Sequence, residues 1–210
     1  MAAGAASPRE RYRSQVRAEI KERAWQQIAT AGASGLSLNA IAKELGMSGP
    51  ALYRYFGGRD ELITELIRDA YRSLADTFRA AAGSGGGLPG LARALRGWAL
   101  EDRQRYFLVY GTPVPGYHAP DDITVIAREI MSALLGCARR PEPGPRPRRL
   151  RRASRGPREW AGDHAYPPAV LHRALVFWSR LHGACRWSSP ATSPGWASTP
   201  SCCSPSRSRG

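Results

Sequence analysis

The chain is short of several things, and each shortage removes a class of protein. Its 210 residues hold four cysteines, Cys137, Cys185, Cys202 and Cys203, the last two adjacent. That is too few and too poorly spaced for a disulfide framework, and no Cys/His spacing resembles a zinc site, so no metal or cofactor is expected. No run of 18 apolar residues occurs, which argues against a membrane span. Residues Met1 to Glu10 show no long apolar stretch behind a basic start, unlike a secretory signal. A reduced, cytoplasmic protein without membrane contact is the expectation. No segment alternates with period two over a useful length, which leaves an all-α fold. Neither a Ser/His/Asp set nor paired carboxylates stand out, so an enzyme is not expected. Acidic residues are scarce too: 17 against 31 Lys and Arg, a net charge of +14. Such an excess suits a polyanionic partner.

The excess is unevenly placed. Nine Arg and a single acid lie between Arg139 and Arg158, whereas residues 1–60 carry nine Lys or Arg and five acids, net +4. The amino-terminal part therefore has the modest positive charge of a DNA-reading module, not that of a coating protein.

What is present is helical periodicity. Tyr12, Val16, Ile20, Ala24 and Ile28 recur every four residues in a first helix over 9–31, with Trp25 beside them and Gly32 as the stop. Ser37 is placed to cap a second helix whose Leu38, Ile41, Ala42 and Leu45 share one face. Gly46 supplies a left-handed or open end. Ser48 then caps a third helix with Pro50 in its first turn, where the missing N–H costs nothing. Leu52 and Phe56, four apart, can pack back onto Ile41 and Leu45. Two short helices around a tight turn at 37–56 fit a helix-turn-helix that lays its second helix in the DNA major groove. The same pattern fits an ordinary helical hairpin.

The wording of this stretch resembles the tetracycline-repressor (TetR) family of bacterial transcriptional regulators. That family's hallmark is Leu-Tyr-x-[His/Tyr/Trp]-Phe, a short loop, then a basic residue, an acid and Leu. Here these are Leu52-Tyr53-Arg54-Tyr55-Phe56, Gly57-Gly58 and Arg59-Asp60-Glu61-Leu62. The resemblance implies a dimer that binds a palindromic double-stranded DNA operator and is released by a small-molecule effector, usually as a repressor. Carried over residue by residue, it puts Ser37, Tyr53, Tyr55 and Arg59 on the phosphate side. It puts Asn39, Gly49, Pro50 and Ala51 toward bases, with Ser48 at the capped entry. Gly49 departs from a base-reading side chain, so discrimination there must come from close approach or from neighbours. Asn39 has the donor and acceptor that pair with adenine.

Beyond the head, Ile63, Leu66, Ile67, Ala70, Leu74 and Phe78 mark a long fourth helix over 60–82, ending at the Gly-rich stretch 83–87. Residues 88–111 read as one further helix, and 112–120 as a loop with three prolines. Asp121 or Asp122 is expected to cap the next helix, striped by Ile123, Ile126, Ala127, Ile130 and Leu134. A last helix, 169–185, carries Leu171, Ala174, Leu175, Trp178 and Leu181. Trp98, Tyr106, Phe107, Tyr110, Tyr117 and His118 fall where the resembled family keeps its effector pocket; core filling and a loop histidine are the competing readings. Trp178, His182 and Gly183 resemble one TetR subgroup, in which this helix helps build the dimer interface. That places Leu171, Leu175, Trp178 and His182 in dimerisation.

The expected organisation is thus a disordered start (1–11), a DNA-binding head (12–74), a ligand-binding and dimerisation body (75–187, irregular over 139–158) and a disordered tail (188–210). The Arg/Pro-rich 139–157 and the Ser/Pro/Arg-rich 188–210 lack apolar periodicity. One reading is a basic linker and tail that bind nucleic acid nonspecifically. The other, which we favour, is out-of-frame translation of a GC-rich gene. Suitable codons for Trp187-Ser-Ser-Pro-Ala191, shifted by one base, give Leu-Glu-Leu-Ala-Gly, helical text. A chain with this carboxyl terminus lacks the partner interface helix, so its dimerisation is expected to be poor.

Overall fold

The computed structural model describes residues 7–111, 117, 119–139 and 166–187. His118, the Arg/Pro-rich stretch beyond Arg139 and the tail from 188 lie outside the described residues. Eight α-helices are described: α1 (Pro8–Ala31), α2 (Leu38–Glu44), α3 (Gly49–Tyr53), α4 (Arg59–Gly83), α5 (Gly87–Glu101), α6 (Arg103–Tyr110), α7 (Asp121–Arg139) and α8 (Pro168–Trp187). Among the described residues there is no strand.

α1 starts earlier than its apolar pattern suggests. The Ser7 hydroxyl accepts from Glu10 N–H, and the Glu10 carboxylate accepts from Ser7 N–H at 2.7 Å, a reciprocal capping box ahead of Pro8. Residues 8–11 are therefore helical, in keeping with a first helix from residue 9 and not with a disordered start that runs through residue 11. Tyr12 is a further correction: it is 65% exposed, because the first two turns of α1 run ahead of the head core and are exposed throughout. From Val16 through Ile28 the predicted row is buried.

The turn between α2 and α3 forms as its residues dictate. Ser37 and Ser48 hydroxyls accept from Ala40 and Ala51 N–H, each at 3.3 Å. Gly46 has φ +64°, and Met47 and Gly46 N–H groups return to the Ala42 and Lys43 carbonyls at 2.8 and 3.2 Å. That is a Schellman closure, which needs a left-handed residue at this point. α3 is only five residues long, so Phe56 reaches the core from the turn after it, fully buried.

Two apolar cores share α4. Leu62, Ile63, Leu66 and Ile67 pack in the head with α1–α3, and Ala70, Leu74, Ala75 and Phe78 pack in the body with α5–α8. One rigid helix thus serves both units. Ile123, at the start of α7, is buried in the head core, so the body also touches the head there. Residues 88–111 prove to be two helices. Asp102 adopts an extended conformation (ψ 95°) and its carboxylate accepts from Arg105 N–H at 2.9 Å, capping a new helix. Asp121 and Asp122 lie inside the first turn of α7, and Asp122 turns to Arg68 on α4 at 2.5 Å. That ion pair holds the Asp122 carboxyl below its usual range and the Arg68 guanidinium above its own. A neighbouring set ties Glu129 of α7 to Arg72 and Arg79 of α4, at 2.8 and 2.9 Å.

Candidate DNA interface and aromatic cluster

The exposed outer side of the head is built by the α2–α3 pair. Asn39, on the first turn of α2, is exposed, and its Oδ1 lies 3.8 Å from where a Cβ on Gly49 would stand. The first turns of the two helices therefore meet at Asn39 and Gly49. Ser48 and Pro50 are exposed, and Ala51 is half-buried beside them. Ser37 is exposed while its hydroxyl serves the cap. Tyr53 is 48% exposed, whereas Tyr55 is half-buried against the head core. Arg59 is tied inward: its Nη2 donates to the Ala33 carbonyl at 2.7 Å, pinning the start of α4 to the turn after α1. That tie leaves its guanidinium with a structural task in addition to any contact with phosphate.

In the body, Trp98 is buried and its indole N–H donates to Ser73 Oγ at 3.1 Å. Tyr106 is buried; its ring lies 5.6 Å from both Phe107 and Tyr110. Tyr110 in turn meets Tyr71, Trp178 and His182, with centroids 6.2, 5.9 and 4.4 Å away. Burial raises the Tyr110 hydroxyl well above its ordinary pKa and raises Tyr71 as well, the latter helped by Tyr117. Tyr117 departs from the expected set: it packs against the head core, at the junction. His182 lies 4.2 Å from Trp178, and its Nδ1 is 3.0 Å from the Tyr106 hydroxyl. Desolvation lowers its pKa to about 4, so the ring is neutral near pH 7. The Tyr106 hydroxyl also lies 3.5 Å from the His182 carbonyl oxygen; when it donates to Nδ1, the ring proton sits on Nε2. That atom is buried and has no hydrogen-bond partner among the described residues; Arg105 Nε and Tyr117 Oη share this condition.

Known proteins match both units. A family model described as bacterial regulatory proteins, tetR family, covers residues 20–66. A second, tetracyclin repressor-like, C-terminal domain, covers residues 88–189. The regulatory protein SCO4313, known from a crystal structure, is 62% identical, with 86% of each chain covered and a TM-score of 0.73. The chain belongs to the TetR family. HTH-type transcriptional regulators Rv1816 of Mycobacterium tuberculosis and Mb1846 of Mycobacterium bovis are 46% identical over 130 residues. Those residues are 59% of this chain and 56% of theirs, so it spans little more than half the length of these curated relatives. The TetR regulator PfmR of Thermus thermophilus, at 19% identity and TM-score 0.56 over 82% and 87% of the chains, shares the fold.

Within this TetR frame, α8 holds the main surprise. Leu171 is buried, and Trp178 and His182 turn into the body, Trp178 edge-on to Phe78 at 6.3 Å. Only Leu175 of the four expected dimerisation residues is exposed, at 44%. α8 thus contributes Trp178 and His182 to the same aromatic cluster as α6. Sequence reasoning also missed Tyr71, Ser73 and Arg105; Arg105 stacks 4.6 Å over Trp98 and reaches Ser73. The cap at Asp102 puts Arg105 in the first turn of α6, facing Trp98 and Ser73. A groove of about 410 Å³ lies on the outer α4–α7 seam, between Arg68, Arg72, Asp122 and Val125. Its charges are already paired: Arg68 with Asp122, Arg72 with Glu129, and Asp69, which also lines it, with Lys21. Among the described residues no group of His, Cys, Asp and Glu could hold a metal, and no helix is long and apolar enough to cross a membrane.

Proposed function

We propose that this TetR protein is a cytoplasmic, DNA-binding transcriptional regulator that represses by occupying a palindromic operator, one α2–α3 unit per half-site. The observation that carries this reading is the meeting of Asn39 and Gly49 on an exposed helix-turn-helix whose caps and turn are all satisfied. Asn39, Pro50 and Ala51 face bases, Gly49 lets the backbone approach, and Ser48 stands at the entry. Ser37, Tyr53, Tyr55 and Arg59 lie toward phosphates, with the Arg59 contact made by whatever N–H groups Ala33 leaves. Register comes from the phosphate contacts and sequence choice from the base contacts.

The effector is an apolar molecule received among Trp98, Tyr106, Phe107, Tyr110 and Trp178, with an acceptor atom for His182 Nε2. Aromatic surface with few polar groups suits such a ligand. Because α4 belongs to both cores, any repacking around Phe78 and Trp178 tilts the helix that carries the head. Where two chains sit on adjacent half-sites of one operator, that tilt changes head separation against a spacing set by the DNA repeat. The test begins with selection of duplexes from a random library by the purified protein. Asn39→Ala should then relax preference at one base pair, costing ~1–3 kcal/mol there, and leave scrambled DNA unaffected. Equal loss on selected and scrambled DNA defeats the assignment.

A further inference from the structure

α3 is too short to satisfy its own exit. In a five-residue helix the terminal carbonyls have no following turn to receive N–H groups from. The Leu52 carbonyl accepts from Tyr55 and Phe56 N–H, at 2.8 and 3.3 Å, but the Arg54 and Tyr55 carbonyls beyond it are taken by arginines of α1. Arg13 Nη2 donates to the Arg54 carbonyl at 3.3 Å, and Arg17 Nη1 to the Tyr55 carbonyl at 2.5 Å. Arg17 does more than this. Its Nη2 lies 3.3 Å from Glu65 Oε2 on α4, and its guanidinium stacks 4.2 Å above the Phe56 ring. Glu65 is held in addition by Lys21, at 3.4 Å, and by Arg68. One planar group therefore joins α1, the α3–α4 turn and α4, using an edge for each polar partner and a face for the ring.

We propose that Arg17 is a positioning residue for sequence-selective DNA binding, fixing the exit of α3 so that its first turn meets the bases in one orientation. This rests on the reading of α2–α3 as the DNA-reading unit. Lysine cannot replace the arginine: its ammonium keeps the charge but lacks the fork and the flat face. That difference separates positioning from a plain phosphate contact, for which a retained charge suffices.

The experiment uses the full chain, a duplex selected by the wild type from a random library and a scrambled duplex, with Arg17→Lys and Glu65→Gln. Positioning predicts that Arg17→Lys binds the selected duplex about tenfold more weakly, binds scrambled duplex within about twofold, and keeps the salt slope. Glu65→Gln, which touches no DNA, should move in the same direction to a smaller extent. In the free protein, Arg17→Lys should speed amide hydrogen exchange over residues 54–58 several-fold while α2 is unchanged. Wild-type affinity and wild-type exchange in Arg17→Lys overturn the proposal; so does an equal loss on both duplexes with a lower salt slope. If the wild type selects no sequence, the DNA-reading assignment fails by itself, and the exchange comparison alone decides whether Arg17 fixes the turn.

Discussion

Two glycines three residues apart should respond in opposite ways to the same substitution. Gly46 has φ +64°, and nothing lies within 4 Å of where its Cβ would go. Gly46→Ala therefore meets no clash, and its whole effect is the left-handed backbone, about 1–2 kcal/mol for a residue with a side chain. In a chain of this size about 1 kcal/mol moves the melting temperature by roughly 2–4 °C, so a fall of about 2–8 °C is expected. Gly49 opens α3 at an ordinary φ, and its Cβ would sit in van der Waals contact with Asn39 Oδ1 at 3.8 Å. Gly49→Ala should stabilise by about 0.4–1 kcal/mol, by restricting the unfolded chain. At the same time the new methyl stands where the backbone approaches DNA, so affinity for the selected duplex should fall about tenfold, comparable to losing one base contact. Calorimetry and fluorescence anisotropy on both variants read the two axes separately. An unchanged melting temperature in Gly46→Ala refutes the strain argument; unchanged selectivity in Gly49→Ala refutes close approach at that position.

Three more outcomes follow from the body. The folded pKa of His182 is below its unfolded value, about 4 against 6.5, so the unfolded chain binds the proton first and stability falls as pH drops from about 6.5 to about 4. His182→Gln should flatten that part of the melting-temperature profile, and an identical slope in the variant rejects the burial. Apolar aromatic compounds with a carbonyl acceptor should raise the melting temperature by mass action, with Phe107→Ala weakening their effect more than it weakens duplex binding. A broad screen without any shift makes the aromatic cluster plain core. With Leu171, Trp178 and His182 turned inward, sedimentation of this chain at micromolar concentration should show mostly monomer. A tight dimer with residues 188–210 ordered in its interface contradicts both that expectation and the out-of-frame reading of those residues.

The head was legible in the sequence because its signals are local. Ser37 and Ser48 cap helices one turn away, Gly46 closes a turn of its own neighbours, and the spacing of Leu52 and Phe56 decides which face is buried. Such interactions span three to five residues, so the order of residues states them directly. The long fourth helix and the all-α class follow from the same periodicity. Only tertiary structure decided the rest. Arg59, Arg13 and Arg17 look alike as isolated cations, yet their roles depend on carbonyls 26, 41 and 38 residues away. Trp178 and His182 lie on a helix whose sequence fits a dimer face equally well. Tyr106 and Tyr110, about 70 residues earlier in the chain, turn them inward. An apolar stripe says that a face is covered; what covers it is fixed by which helices meet, and that depends on the packing of the whole chain.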